Sequence, residues 1–246
     1  MAMLREAREL VEKVATGNRI LARSGLADAI RISVGHVSAR IPNTNLIILK
    51  GRGYPVDLLS KMTPEDMIIV DINTNSVVEG PPGITVPKEI PLHTAVFRQR
   101  QEVMSVVHAH PEYTTLMSVM DKPLSLLHHE GAEVVYEGVP SFHEFRVIDS
   151  DQLGHDMARV MGSKETLMLK GHGAVSTGHS VEEALVNMMG LEDQAKRNYM
   201  ALACAGAAIS EISPEQTKEY VETRSLGASP PIAIAMWHYY EELVRL

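Results

Sequence analysis

Three histidines and one glutamate carry the chemical interest of this chain. His108 and His110 close the apolar run Val103-Met104-Ser105-Val106-Val107, which Pro111 then stops. The run reads as a short buried β-strand, and side chains two apart on a strand share a face. His108-x-His110 therefore offers two imidazoles side by side at a strand end. His172 stands in Lys170-Gly171-His172-Gly173, between two apolar segments. Glycines at a turn let the backbone approach a ligand closely. Three neutral imidazoles around one ion leave an open position for substrate or water, as a catalytic site requires. The alternative is three unrelated histidines, two on a strand and one in a turn. Glu89 and His93 lie four apart on an expected helix, hence on one face. They form either a surface pair or a general acid/base beside a metal.

The elements that must position these groups can be read from periodicity. Leu4 to about Ala27 has helical spacing, with Gly17-Asn18 as a possible break. Leu46–Leu49 and Met67–Asp71 read as strands, separated by the loop Gly51-Arg52-Gly53-Tyr54-Pro55. A helix is expected from about Pro87 to Arg100 and another near Glu112–Met120. Ala132–Tyr136 reads as a strand, and Ser150-Asp151 caps a helix running to about Met161. Thr166–Leu169 and Ala174–Thr177 flank the Gly-His-Gly turn. The capping box at Ser180 opens a long helix to about Ala208. Helices at Ser213–Thr223 and after Pro230-Pro231 follow. Helices and strands intermix without strict βαβ alternation, which predicts one α/β domain over 1–246 with a mixed, largely antiparallel sheet. The C-terminal segment, about 210–246, is helical.

Composition narrows the class of function. The chain has 246 residues, 45% hydrophobic and 22% charged, as expected of a globular protein with a substantial core. A net charge of −8 disfavours nucleic acid and anionic membranes as partners. A single cysteine, Cys204, excludes an intrachain disulfide and suits a reducing, cytoplasmic setting. The N-terminus enters an amphipathic helix without a signal-peptide pattern, and no apolar run is of membrane-spanning length.

Glu89-x-x-x-His93, His108-x-His110 and Lys170-Gly171-His172-Gly173, in this order, resemble the class II aldolase/adducin family. Gly35-His36-Val37-Ser38-Ala39-Arg40 resembles its early Gly-Asn-x-Ser-x-Arg motif. The resemblance runs from about Gly17 to Ala203. It implies an α/β/α layered domain around a mixed sheet. It also implies one divalent transition metal per subunit (Zn, Mn, Fe(II) or Co) on His108, His110 and His172, with Glu89 catalytic. A homo-oligomer, commonly a tetramer with active sites at subunit interfaces, is implied as well.

Departures from the family's sugar-phosphate aldolases bear on the substrate. Their Asn position is His36 here, their Thr-Gly turn reads Lys50-Gly51-Arg52-Gly53, and their Ser-Ser pair is Pro87-Lys88. Arg52 and Lys88 are either solvated loop charges or donors to a carboxylate. His129, in the pair His128-His129 near the aldolases' catalytic Tyr, either lines the site, where an imidazole moves protons near neutral pH, or is a satisfied core histidine; the first is the expectation. Tyr239, in the aromatic cluster Trp237–Tyr240, is either packed in a core or interface or reaches a neighbouring site. The pattern resembles the family's decarboxylase branch, which acts on hydroxylated aromatic or pyridine dicarboxylates. The expectation is a metal-dependent carbon–carbon lyase, decarboxylating a small-molecule carboxylate. A sugar-phosphate aldolase or epimerase is the alternative. An adducin-like scaffold is a third, disfavoured by the intact histidines and Glu89.

Overall fold

The structure is a computed structural model that describes residues 2–27, 34–120, 122–205, 212–227 and 231–246. Eight strands form one sheet in the order β4-β3-β2-β1-β5-β8-β7-β6. They are β1 (Gly35–Arg40), β2 (Leu46–Lys50), β3 (Met67–Asp71), β4 (Val77–Glu79), β5 (Ser105–Ala109), β6 (Ser141–Phe142), β7 (Thr166–Leu169) and β8 (Gly173–Gly178). Only the β6–β7 pair is parallel; the other pairs are antiparallel.

Helices cover both faces, so strands such as β2 and β7 are apolar on both sides. Val37, Ile48, Val107 and Met168 face a core shared with α1 (Ala2–Arg23) and α6 (Val181–Ala205). Leu49, Val106, Leu167 and Val175 face the second core, under α2 (Ile90–Gln99) and α5 (Asp151–Met161). The fold is therefore α/β, a sheet between two helical layers. On the first face lie also α3 (Glu112–Ser118), α4 (Ala132–Val135), and α8 (Pro231–Leu243), which packs on α1 and α6. A further helix, α7 (Pro214–Gly227), touches α4. Among the described residues no helix is long and apolar enough to cross a membrane.

Several expectations change. α1 runs unbroken through Gly17-Asn18. A Cβ at Gly17 would lie 3.1 Å from Val181 Cγ1, so the glycine serves helix packing, not a break. Ala132–Tyr136 is not a strand: Ala132–Val135 is a helical turn entered from Gly131 at φ 71°. Ala132, Val134 and Val135 are all buried, a pattern that does not alternate, and so short an apolar run fits either period. β4 and β6 are too short to be read as strands, and in β1 the alternating apolar positions are only Val37 and Ala39. The end of the Ser180 helix, beyond Ala205, lies outside the described residues.

Candidate metal centre

Antiparallel pairing brings the start of β1, the end of β5 and the start of β8 to one end of the sheet. Gly35 pairs with Ala109, His36 with His108, and Ala109 with Ala174. His108 and His36 point to the α2 face, because their partners Val175 and Ser38's neighbour Leu49 do. His172 precedes β8 in a tight turn, where Gly171 has φ 62°. A Cβ on Gly173 would sit 2.2 Å from the Ala109 carbonyl oxygen, so that glycine lets β8 close against the β5 end. Glu89 is the residue before α2, which delivers its carboxylate over the strand ends.

Glu89, His108, His110 and His172 each place one ligand atom within 4.8 Å of all the others. His108 Nε2 lies 3.2 Å from Glu89 Oε2 and 3.2 Å from His110 Nε2. His172 Nε2 lies 3.3 Å from Glu89 Oε1. The His108 Nδ1–H donates to the Ala174 carbonyl (2.9 Å), leaving Nε2 as its basic nitrogen. Glu89 Oε1 is buried with no hydrogen-bond partner. Basic nitrogens and a carboxylate facing one another at this range fit a cation among them. Bonds of about 2.0–2.2 Å to one ion put neighbouring ligand atoms roughly 3.0–3.4 Å apart.

The electrostatics agree with a ligand set. Burial, then neighbouring imidazoles, hold His110 down at about 3 and His172 at about 4. Both are neutral, as ligands must be. Burial pushes the Glu89 carboxyl up, but His108, His36 and His172 outweigh it and hold it below the ordinary carboxylate range.

The other expected site residues are placed elsewhere or nearby. His36 is buried, with its ring 5.4 Å from that of His108. His93 is not a surface partner of Glu89; it is fully buried and turns to His36 and Ser38. Arg52 is exposed, and its backbone pairs with Thr85. Lys88 is exposed and lines a surface cavity of about 470 Å³ with Asn75, Asp149 and Asp151. His129 lies outside the four-residue cluster, its ring 6.0 Å from Tyr220 on α7. Tyr239 is 63% exposed on α8, whereas Trp237 is buried. A cation that sequence reasoning passed over is Lys50. It is buried at the end of β2, bonded to Asp57, and its charge acts on His36. A lysine directly after the apolar run Leu46–Leu49 was the available signal.

The family model for the Class II Aldolase and Adducin N-terminal domain matches residues 12–199. This chain belongs to that family. A 3,4-dihydroxyphthalate decarboxylase from Arthrobacter keyseri is 31% identical over 241 residues, covering 96% of this chain and 93% of the relative. An L-fuculose phosphate aldolase from Methanococcus maripaludis is 30% identical over 168 residues, covering 68% of this chain and 86% of the relative. Among solved structures, an aldolase II superfamily protein from Pseudomonas syringae superposes with a TM-score of 0.82. That match is at 21% identity and covers 96% of this chain and 92% of the other. The last comparison bears on the fold alone.

Proposed function

We propose that this class II aldolase family member is a divalent-metal-dependent carbon–carbon lyase that decarboxylates a hydroxylated aromatic carboxylate. The observation that carries the reading is the convergence of His108, His110, His172 and Glu89 beside a buried His36. The resemblance to the Arthrobacter decarboxylase over nearly the whole chain supports the choice among lyases. His108, His110 and His172 would hold the ion. When bound, it supplies Lewis acidity, taking up charge from a carboxylate and its ortho hydroxyl as the bond to CO2 breaks.

The protein's part is proton handling and placement. Glu89 is ionised in the free site, so it can accept the proton of the substrate hydroxyl. Loss of CO2 leaves the electron pair of the broken bond on the ring carbon. The Glu89 carboxyl then returns its proton to that carbon. Its position ahead of α2, fixed by the helix rather than a mobile loop, keeps that transfer short.

Beside His172, Phe145 is 74% exposed and packs on Gly171, and Val119 is 51% exposed. An assembly of copies that covers this apolar rim belongs to the same reading. The direct test incubates metal-loaded protein with 3,4-dihydroxyphthalate and related hydroxylated aromatic dicarboxylates and follows CO2. Release is expected. No CO2 from any acid, together with cleavage of L-fuculose 1-phosphate, overturns the decarboxylase in favour of an aldolase.

A further inference from the structure

Behind the cluster runs a chain of buried polar groups that the reading above does not use. His36 Nδ1 lies 2.7 Å from His93 Nε2, and His93 Nδ1 lies 2.7 Å from Ser38 Oγ. Ser38 Oγ is also 3.3 Å from the Val106 carbonyl oxygen. Ser38 and His93 are fully buried, so solvent does not set the direction of these bonds. At 2.7 Å, His36 Nδ1 and His93 Nε2 share one proton, so both rings cannot be fully protonated, and their burial disfavours charge on either.

Each neutral imidazole carries one proton, and Ser38 carries one. Two directions are possible. In the first, the Ser38 hydroxyl donates to the Val106 carbonyl and accepts from His93 Nδ1–H. His93 Nε2 then accepts from His36 Nδ1–H, and three hydrogen bonds form. In the second, Ser38 donates to His93 Nδ1, and His93 Nε2–H donates to His36 Nδ1. Only two bonds form, and the Val106 carbonyl loses this donor. One buried hydrogen bond is worth about tenfold in an equilibrium, which favours the first direction.

In that direction His36 Nε2 is the basic nitrogen. Among the described residues, the hydrogen bond found at this ring runs through Nδ1. The ring lies 5.4 Å from that of His108, its cross-strand partner, and Glu89 acts on its charge. We propose that Ser38 and His93 hold His36 in the tautomer that presents an unprotonated Nε2 to the site, and that this nitrogen accepts a hydrogen bond from a substrate hydroxyl. His36 is thus a reader of a hydroxyl group, and Ser38 and His93 are positioning residues. His36 would then touch the substrate through a group that donates a proton, because a lone pair repels carboxylate and phosphate oxygens. The tautomer stands independently of the reaction. The identity of the hydroxyl, as one borne by the aromatic ring, rests on the decarboxylase reading.

Two measurements test it separately. The first is the ¹⁵N spectrum of histidine-labelled, zinc-loaded protein, with His36 assigned by its loss in His36→Gln. A protonated Nδ1 and unprotonated Nε2 are expected; the reverse pattern, or protons on both nitrogens, overturns the proposal whether or not the protein decarboxylates anything. The second compares 3,4-dihydroxyphthalate with its 4-O-methyl ether, which leaves intact the hydroxyl ortho to a carboxylate that the ion and Glu89 would use. The ether should lose about tenfold in kcat/KM through KM, the worth of one hydrogen bond. In Ser38→Ala, which frees His93 to turn, that discrimination should vanish, and Ser38→Thr, which keeps the hydroxyl, should restore it. Discrimination that persists unchanged in a folded Ser38→Ala protein overturns the hydroxyl-reading role.

Discussion

At the scale of single residues, Glu89 has two jobs that substitution can separate. Its carboxylate completes the cluster with the three imidazoles and, in the proposed reaction, moves the proton. Glu89→Gln keeps size and an oxygen ligand but cannot accept that proton. Metal content measured by elemental analysis should stay near one ion per chain, while kcat falls roughly 10²–10⁴-fold, the usual worth of a positioned acid or base. His108→Ala should behave differently, losing the ion as well as the rate. Much of this centre was readable in advance. The strand period of two announces that His108 and His110 share a face, and the glycines around His172 announce a tight turn. That His172 meets Glu89, 83 positions away in the sequence, follows from sheet order, which no local spacing encodes. Ser38 and Lys50 stood in quoted motifs, but their roles were not legible, for a related reason. Their importance comes from being buried beneath the site, and a serine or lysine in a short strand reads as ordinary polar surface.

Among elements, α2 bears the most function for its length. Glu89 immediately precedes it, His93 closes its first turn, and its end is tied down by Arg40, whose guanidinium bonds the Phe97 and Arg100 carbonyls. In this chain the early motif thus ends in an arginine that anchors a helix. α5 holds α2 from outside, through a close approach at Gly154: a Cβ there would lie 2.4 Å from the Pro91 carbonyl oxygen. Gly154→Ala should therefore force the two helices apart. We expect a loss of roughly 1–3 kcal/mol in denaturant unfolding, the range for overpacking a close contact. Because α2 carries Glu89, the folded fraction should also lose activity, which a purely peripheral contact would not cause. Helix periods were legible here because α1, α5 and α6 are long enough to repeat. Four-residue runs such as Ala132–Val135 were not, since packing against α6 decides their conformation.

For the whole molecule, the neutral imidazoles tie stability to pH. His110 and His172 are held at about 3 and about 4, below the ordinary imidazole value of 6.5. The unfolded chain therefore takes up protons first as pH falls, and stability rises with pH across that window. In metal-free protein, unfolding free energy should be level above about pH 7 and decline below about 6.5. Glu89, held below its ordinary range, extends the decline through the carboxylate region. Denaturant titrations at a series of pH values check this, and a curve that rises on acidification would contradict it. Added divalent metal should act the other way. At a hundredfold excess over Kd it should stabilise by about 2.7 kcal/mol, or roughly 5–10 °C in Tm for a chain of this size, and His108→Ala should abolish the shift.

β5 lies inside the sheet, with β1 on one side and β8 on the other. The backbone of Val107 and His108 is thus enclosed by hydrogen bonds on both edges and by a core on both faces. Edges and termini of a fold open locally at little cost, whereas such a position opens only when the molecule does. Deuterium uptake at the His108 amide should accordingly track global unfolding, and ion release by exposing that ligand should be as slow as unfolding itself.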